Sequence, residues 1–171
     1  MQIDLGTPNA KQKLFLKDHH RHIGFGGARG GGKSWAVRAK IILLAAKHPG
    51  IQMMVVRRTY PELQANHIRP LKKLLHVGEP GCLVKYSDKE KLMTFPNGST
   101  VLFGYCKNEG DTDRYQGTEV DVLFIDEATQ LTEQQIGDLN ACVRGVSKYP
   151  RRTYYTCNPG GKGHGYIKRI F

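Results

Sequence analysis

Gly27-Ala28-Arg29-Gly30-Gly31-Gly32-Lys33-Ser34 is the stretch whose reading decides the fold. It satisfies G-x-x-x-x-G-K-[ST], with Gly27, Gly32, Lys33 and Ser34 in the required places. An apolar lead, His22-Ile23-Gly24-Phe25, comes before it, and Trp35-Ala-Val-Arg-Ala-Lys-Ile-Ile-Leu-Leu-Ala-Ala follows. That order is strand, loop, helix. Glycines let successive backbone N–H groups turn inward around a phosphate, and the new helix directs its positive dipole end at the same point. Lys33 is then placed to reach the β and γ phosphates and Ser34 to ligate Mg²⁺, so Gly27 to Ser34 is expected to hold a nucleotide. A glycine-rich surface turn before a helix is the plainer alternative. The loop alone does not choose the nucleotide.

The chain has 171 residues, one domain's worth, enough to bury about two-thirds of the surface its unfolded form exposes. Lysine and arginine number 26 against 15 acids, a formal charge of +11, and His19 to Pro61 contains no acid. Such a surface suggests a polyanion partner, either the nucleotide itself or nucleic acid, or else a solvated basic face. Cys82, Cys106, Cys142 and Cys157 are far apart with neither CxxC nor zinc spacing, which reads as reduced thiols in a cytosolic protein. No signal peptide is expected, and the longest apolar run, Ile41 to Ala46, is much too short to cross a membrane.

Upstream of the loop, Pro8-Asn-Ala-Lys-Gln-Lys-Leu-Phe-Leu begins as a turn and continues as a short helix containing Gln12. An amide there can read an adenine edge, because it offers donor and acceptor together, or it is simply a helix residue facing water. Asp18-His19-His20-Arg21-His22 invites a metal reading, but neighbours on an extended chain point to opposite faces and no second ligand group completes a site. Pro49-Gly50 ends the helix after the loop, and Ile51-Gln-Met-Met-Val-Val-Arg suits a buried parallel strand. Thr59 is the expected N-cap of the next helix, with apolar residues Leu63, Ile68, Leu71, Leu74 and Leu75 and a kink or division at Pro70. Leu83-Val-Lys-Tyr, Lys91-Leu-Met-Thr-Phe and Thr100-Val-Leu-Phe-Gly read as short strands, with a turn at Pro96-Asn97-Gly98 between the last two. They look like an antiparallel addition to a parallel sheet.

Val120-Asp-Val-Leu-Phe-Ile leads straight into Asp126-Glu127-Ala128. A parallel strand of this kind delivers both carboxylates to the C-terminal edge of the sheet, beside the phosphates, as in a Walker B element. Asp126 is expected to hold the Mg²⁺ shell and Glu127 to polarise the attacking water. A helix from Glu133 to Val146 follows, and a last strand, Arg151 to Cys157, brings Thr156 and Asn158 to the same edge. These two either sense the γ-phosphate or belong to an Asn-Pro-Gly turn leaving a strand. The fold class expected is α/β: a P-loop NTPase of the additional-strand, RecA-like type, with a mainly parallel sheet flanked by helices.

Taken together, Gly27 to Ser34, Tyr115-Gln-Gly-Thr-Glu, Leu123-Phe-Ile-Asp-Glu-Ala-Thr-Gln and Thr156-Cys-Asn-Pro-Gly-Gly resemble the ATPase domain of a tailed-bacteriophage large terminase subunit, over Pro8 to Phe171. The resemblance implies an ATPase that drives double-stranded DNA into a preformed capsid, within a pentameric ring docked on the portal protein and working with the small terminase subunit in the bacterial cytoplasm. It implies Gln12 as adenine contact, Asp126 as the magnesium-side acid, Glu127 as catalytic carboxylate and Thr156 to Asn158 as the coupling motif, with ATP and Mg²⁺ bound. Arg29 matches an arginine such loops often carry, acting on the γ-phosphate in its own subunit or at a subunit contact. Arg58 and Arg114 are further candidates for an arginine finger. The RNase H-like nuclease domain usual in such subunits is expected to be absent, and no DNA cleavage is expected.

Two other readings remain open. Asp126-Glu127-Ala128-Thr129 resembles the DEAx box of a helicase, but a second RecA-like domain would not fit in this length. A nucleotide-gated binding module with little turnover is the other, and Glu127 argues against it, since a switch that does not hydrolyse needs no carboxylate for water. A GTPase is disfavoured because no Asn-Lys-x-Asp tetrapeptide occurs.

Overall fold

The computed structural model describes residues 3–28, 30–145 and 147–171. Helix α1 (Ala10–Lys17) opens with a reciprocal cap: Asn9 accepts from the Gln12 backbone, and the Gln12 side chain accepts from the Asn9 backbone. Strand β1 (His22–Gly26) then feeds the glycine loop and helix α2 (Lys33–Lys47). Strand β2 (Gln52–Arg57) follows, and after the divided helical segment Tyr60–Leu74 come β3 (Lys85–Ser87), β4 (Leu92–Thr94) and β5 (Thr100–Tyr105). Strand β6 (Val122–Ile125) delivers the acidic pair, and helix α5 (Glu133–Ala141), β7 (Arg152–Cys157) and helix α6 (His164–Ile170) complete the order.

The seven strands form one sheet in the order β1-β7-β6-β2-β5-β4-β3. The five from β1 to β5 in that order run parallel, while β4 runs antiparallel to both of its neighbours, β5 and β3. Strand β7 sits between the loop-bearing β1 and the acid-bearing β6. This is the inserted strand that defines the additional-strand class.

Alternation along the buried strands builds two cores. Met53, Val55, Val122, Phe124 and Tyr154 face one layer with Phe15, Val37, Ile41 and Leu71. Met54, Val56, Leu123, Ile125 and Tyr155 face the other with Ile136, Leu139 and Ile167. A parallel sheet covered on both faces needs continuous apolar strands, which is why β2 and β6 carry so few polar residues.

Several local expectations shift. The helix after β2 is interrupted ahead of Pro70: α3 (Tyr60–Leu63) gives way to a π-helical turn, Gln64–Ile68, before α4 (Arg69–Leu74). Proline has no N–H for the carbonyl four residues back, and that carbonyl, of Asn66, accepts instead from the Arg38 guanidinium. Helix α5 stops at Ala141, short of the expected Val146, which lies outside the described residues. Beyond it, the Cys142 carbonyl accepts from Val120 N at 2.9 Å, tying the chain to the start of β6. Helix α6, covering β1 through Phe171 against Gly24, had no expectation in the sequence.

Candidate functional site

The phosphate loop leaves the C-terminal edge of β1. Gly27, Gly30 and Gly32 all have positive φ (146°, 81° and 71°), conformations in which a β-carbon would be strained. Gly32 is the N-cap of α2, so the first N–H groups of a 15-residue helix open toward the loop. Lys33 is 8% exposed, and its Nζ donates to the Gly27 and Ala28 carbonyls at 2.9 and 2.7 Å. The ammonium thus closes the loop on itself and lies where a phosphate oxygen can replace those carbonyls. A cleft of about 380 Å³ lies against Gly27, Ala28, Gly30, Gly31 and Lys33, bordered by Asn9 and Lys11. A larger cleft, about 470 Å³, runs between Thr112, Asp138 and Arg144, away from the loop and the acids.

Gln12 packs behind the loop. Its Nε2 donates to the Gly32 carbonyl at 3.1 Å and its Oε1 accepts from Asn9 N at 2.8 Å, so both ends of the amide are engaged with backbone. A β-carbon on Gly32 would stand 2.4 Å from that Nε2. The expected Arg29 contact lies outside the described residues.

The acids arrive from β6. Asp126 is 1% exposed and meets four side chains, accepting from three of them and ion-paired with Arg57. Ser34 Oγ at 3.1 Å, Arg57 Nε at 3.1 Å and His67 Nε2 at 2.7 Å meet its Oδ2, and the Thr156 hydroxyl meets Oδ1. Burial alone would raise this carboxyl, but the His67 ring, the Arg57 guanidinium and the Thr156 hydroxyl hold it well below the usual carboxylate range. Asp126 is therefore an anion. Two hard oxygen donors, Ser34 Oγ and an Asp126 carboxylate oxygen, adjoin each other at the first turn of α2, and that donor set fits Mg²⁺.

Glu127 has φ 57° and ψ 48°, a left-handed conformation rare for a side chain of its size. Its N–H donates to Thr156 Oγ1 at 2.9 Å. Its carboxylate is ion-paired with Arg57 Nη2 at 2.7 Å and accepts from Asn158 Nδ2 at 3.3 Å on the same oxygen and from Gln130 on the other. The backbone twist thus turns Glu127 toward β7. Thr129 Oγ1 donates to the Asn158 carbonyl at 2.9 Å, and Gly163 N to the Thr129 carbonyl at 2.9 Å, continuing the linkage to α6.

Lys33, Ser34, Asp126, Glu127, Thr156 and Asn158 are thus brought to one sheet edge. Arg114 lies within the 3₁₀ segment Glu109–Tyr115 after β5, paired with Asp111 at 3.0 Å and stacked over the Tyr105 ring at 4.5 Å, and is paired with neither Asp126 nor Glu127 among the described residues. Arg58 is half-buried just past β2. The arginine that meets both acids is its neighbour Arg57, 5% exposed, which sequence reasoning passed over, as it did His67. Arg57 ends an apolar strand adjacent to β6, and a buried-strand pattern closing on a cation at the sheet's C-terminal edge is the signal that marks it. All four cysteines are free, and among the described residues no cluster of His, Cys, Asp and Glu forms a metal site, including Asp18 to His22. Among them, too, no helix is long and apolar enough to cross a membrane.

An inserted strand between β1 and β6, a glycine loop on α2 and two acids after β6 define a P-loop nucleotide-binding domain of the additional-strand, RecA-like class. Residues 25–168 match the family described as terminase large subunit, T4likevirus-type, N-terminal, and the chain belongs to that family. Solved structures agree on the fold. A large terminase from a thermophilic bacteriophage superposes with a TM-score of 0.77 at 21% identity, over 95% of this chain and 41% of that one. A structure of the same phage's large terminase in complex with ADP gives 0.72 at 20% identity, over 88% and 39%. The large terminase ATPase domain of Thermus phage P74-26 gives 0.69 at 16% identity, over 91% of this chain and 66% of that one. This chain therefore spans well under half of the thermophilic phage's large terminase. No curated protein matches it.

Proposed function

We propose that this domain hydrolyses ATP to power the translocation of double-stranded DNA into a viral procapsid, in a homo-oligomeric ring docked on a portal protein and supplied with DNA by a small terminase subunit. The observation that carries the reading is the meeting of Ser34, Asp126 and Glu127 at the edge where Lys33 closes the glycine loop. ATP enters with its phosphates in the loop, where Lys33 exchanges the Gly27 and Ala28 carbonyls for phosphate oxygens. Ser34 and Asp126 would hold Mg²⁺, which supplies neutralisation of the phosphate charge. Glu127 takes the proton of the attacking water, and for this it must leave Arg57, which otherwise holds its carboxylate as an ion pair. Once Arg57 lets go, its guanidinium is free for phosphate charge. Asn158 touches the same carboxylate from β7, so the state of Glu127 is felt on the strand that leads to α6.

Steady-state ATP hydrolysis against protein concentration, with and without double-stranded DNA, tests this. Lys33→Ala should lose binding and turnover together. Glu127→Gln should retain ATP and lose turnover by a factor of about 10²–10⁴, the usual worth of a general base. Normal turnover in Glu127→Gln overturns the assignment of the base. A per-subunit rate that climbs with concentration supports a site completed by a neighbour.

A further inference from the structure

His67 is 0% exposed, and its Nε2 meets Asp126 Oδ2 at 2.7 Å. A carboxylate oxygen only accepts, so Nε2 carries a proton and donates it; the other polar atom of the ring is Nδ1. That Nδ1 is buried with no hydrogen-bond partner. The ring's sole polar engagement among the described residues is therefore Asp126. Burying a polar ring nitrogen without a partner is unfavourable, so packing alone would favour an apolar residue at this position.

Its three companions on Asp126 each have other work. Arg57 also binds Glu127, Ser34 stands at the first turn of α2, and Thr156 also receives Glu127 N. The π-helical turn Gln64–Ile68 is what turns His67 inward together with Ile68, both buried. Such one-residue expansions of a helix cost stability and concentrate at working sites. The turn is fastened to the phosphate-loop helix as well, because Arg38, four residues after Ser34, donates to the Asn66 carbonyl. Ser34, Asp126, His67, Asn66 and Arg38 thus form a closed circuit from α2 through the acid strand and back.

We propose that His67 is a positioning residue that fixes the Asp126 carboxylate for the metal that accompanies the nucleotide. It keeps one lone pair of Oδ2 engaged while Ser34 and Arg57 change partners, so the carboxylate neither rotates nor swings toward Arg57 when the nucleotide enters. The idea rests on the reading of Asp126 as the magnesium-side acid. Losing a group that orients a ligating carboxylate typically lowers metal affinity about 10–100-fold.

The experiment is calorimetric titration of the intact chain with ADP over a series of Mg²⁺ concentrations and in EDTA, comparing wild type with His67→Gln and His67→Asn. Both variants are neutral and polar, but only the glutamine amide reaches as far as Nε2, while the asparagine amide stops where Nδ1 stands. Circular dichroism confirms that each is folded, and the small size of both changes guards against collapse of the core. His67→Asn should need about 10–100-fold more Mg²⁺ to reach half of the metal's effect on ADP affinity, with ADP affinity in EDTA unchanged. His67→Gln should recover most of the loss. Asparagine behaving like wild type, asparagine and glutamine behaving alike, or an equal loss in EDTA each overturns the role of His67. Wild-type ADP binding that ignores Mg²⁺ instead overturns the assignment of Asp126, so the two failures are told apart.

Discussion

Thr156→Val removes one hydroxyl from the centre of the site and keeps the branched shape. Thr156 is fully buried; its Oγ1 donates to Asp126 and accepts from Glu127 N at 2.9 Å. Valine leaves the Glu127 N–H without a partner, about 1–3 kcal/mol, and takes a charge-assisted bond from Asp126, about 1.5–3 kcal/mol. Asp126 retains Ser34 and His67 as donors and its ion pair with Arg57, so the second loss falls at the low end of its range. The total is about 3–4 kcal/mol, and for a chain of this length each kcal/mol moves Tm by about 2–4 °C. Urea unfolding followed by circular dichroism should therefore place Thr156→Val about 3–4 kcal/mol below wild type, with Thr156→Ser recovering most of the difference. The turnover of the valine variant should fall too, because the same bond holds Glu127 in its left-handed conformation. A valine variant within about 0.5 kcal/mol of wild type, the span of an ordinary surface change, would refute this account of the Thr156 bridge.

Three other outcomes are expected. Burial pushes the Lys40 ammonium down to about 8, helped by the neighbouring Arg152; since the unfolded chain keeps its proton up to the ordinary value of 10.5, stability should rise with pH between these values, and Lys40→Met should flatten that slope in urea titrations. Gly163→Ala sets a β-carbon 2.3 Å from the Leu131 carbonyl, whereas Gly165→Ala meets open space within α6, so thermal unfolding should show the first destabilised by about 1–3 kcal/mol and the second unharmed. Arg57→Met strips the counter-charge from two carboxylates and should cost about 3–5 kcal/mol, against a small effect for Arg58→Met in the same denaturation series.

Much of this was legible in the sequence because the relevant signals are local. The glycine spacing before Lys33 and the apolar run before Asp126 each specify their own geometry, and parallel strands then carry both to one edge. The pairings of Arg57 and His67 depend on distance in space. Arg57 looks like the solvated end of an apolar strand until β6 is set beside β2. His67 depends on the π-helical turn, which shifts the phase of the helix by one residue. Its trace in the sequence is the five-residue step from Leu63 to Ile68 between buried apolar positions, where an uninterrupted helix repeats at three or four. Helix α6 is seven residues long, too short for periodicity to declare it.

The place of β7 bears on how the domain comes into being. It is the last of the seven strands to leave the ribosome, yet it lies between the two strands that supply the loop and the acids. Until Arg152 to Cys157 has emerged, β1 has no neighbour to pair with, and the glycine loop hangs from an unanchored strand. Contacts of such long sequence separation form slowly and leave apolar edges waiting. In a nascent chain of this protein the edge that joins the glycine loop to the acids is therefore completed only when β7 slots into the gap.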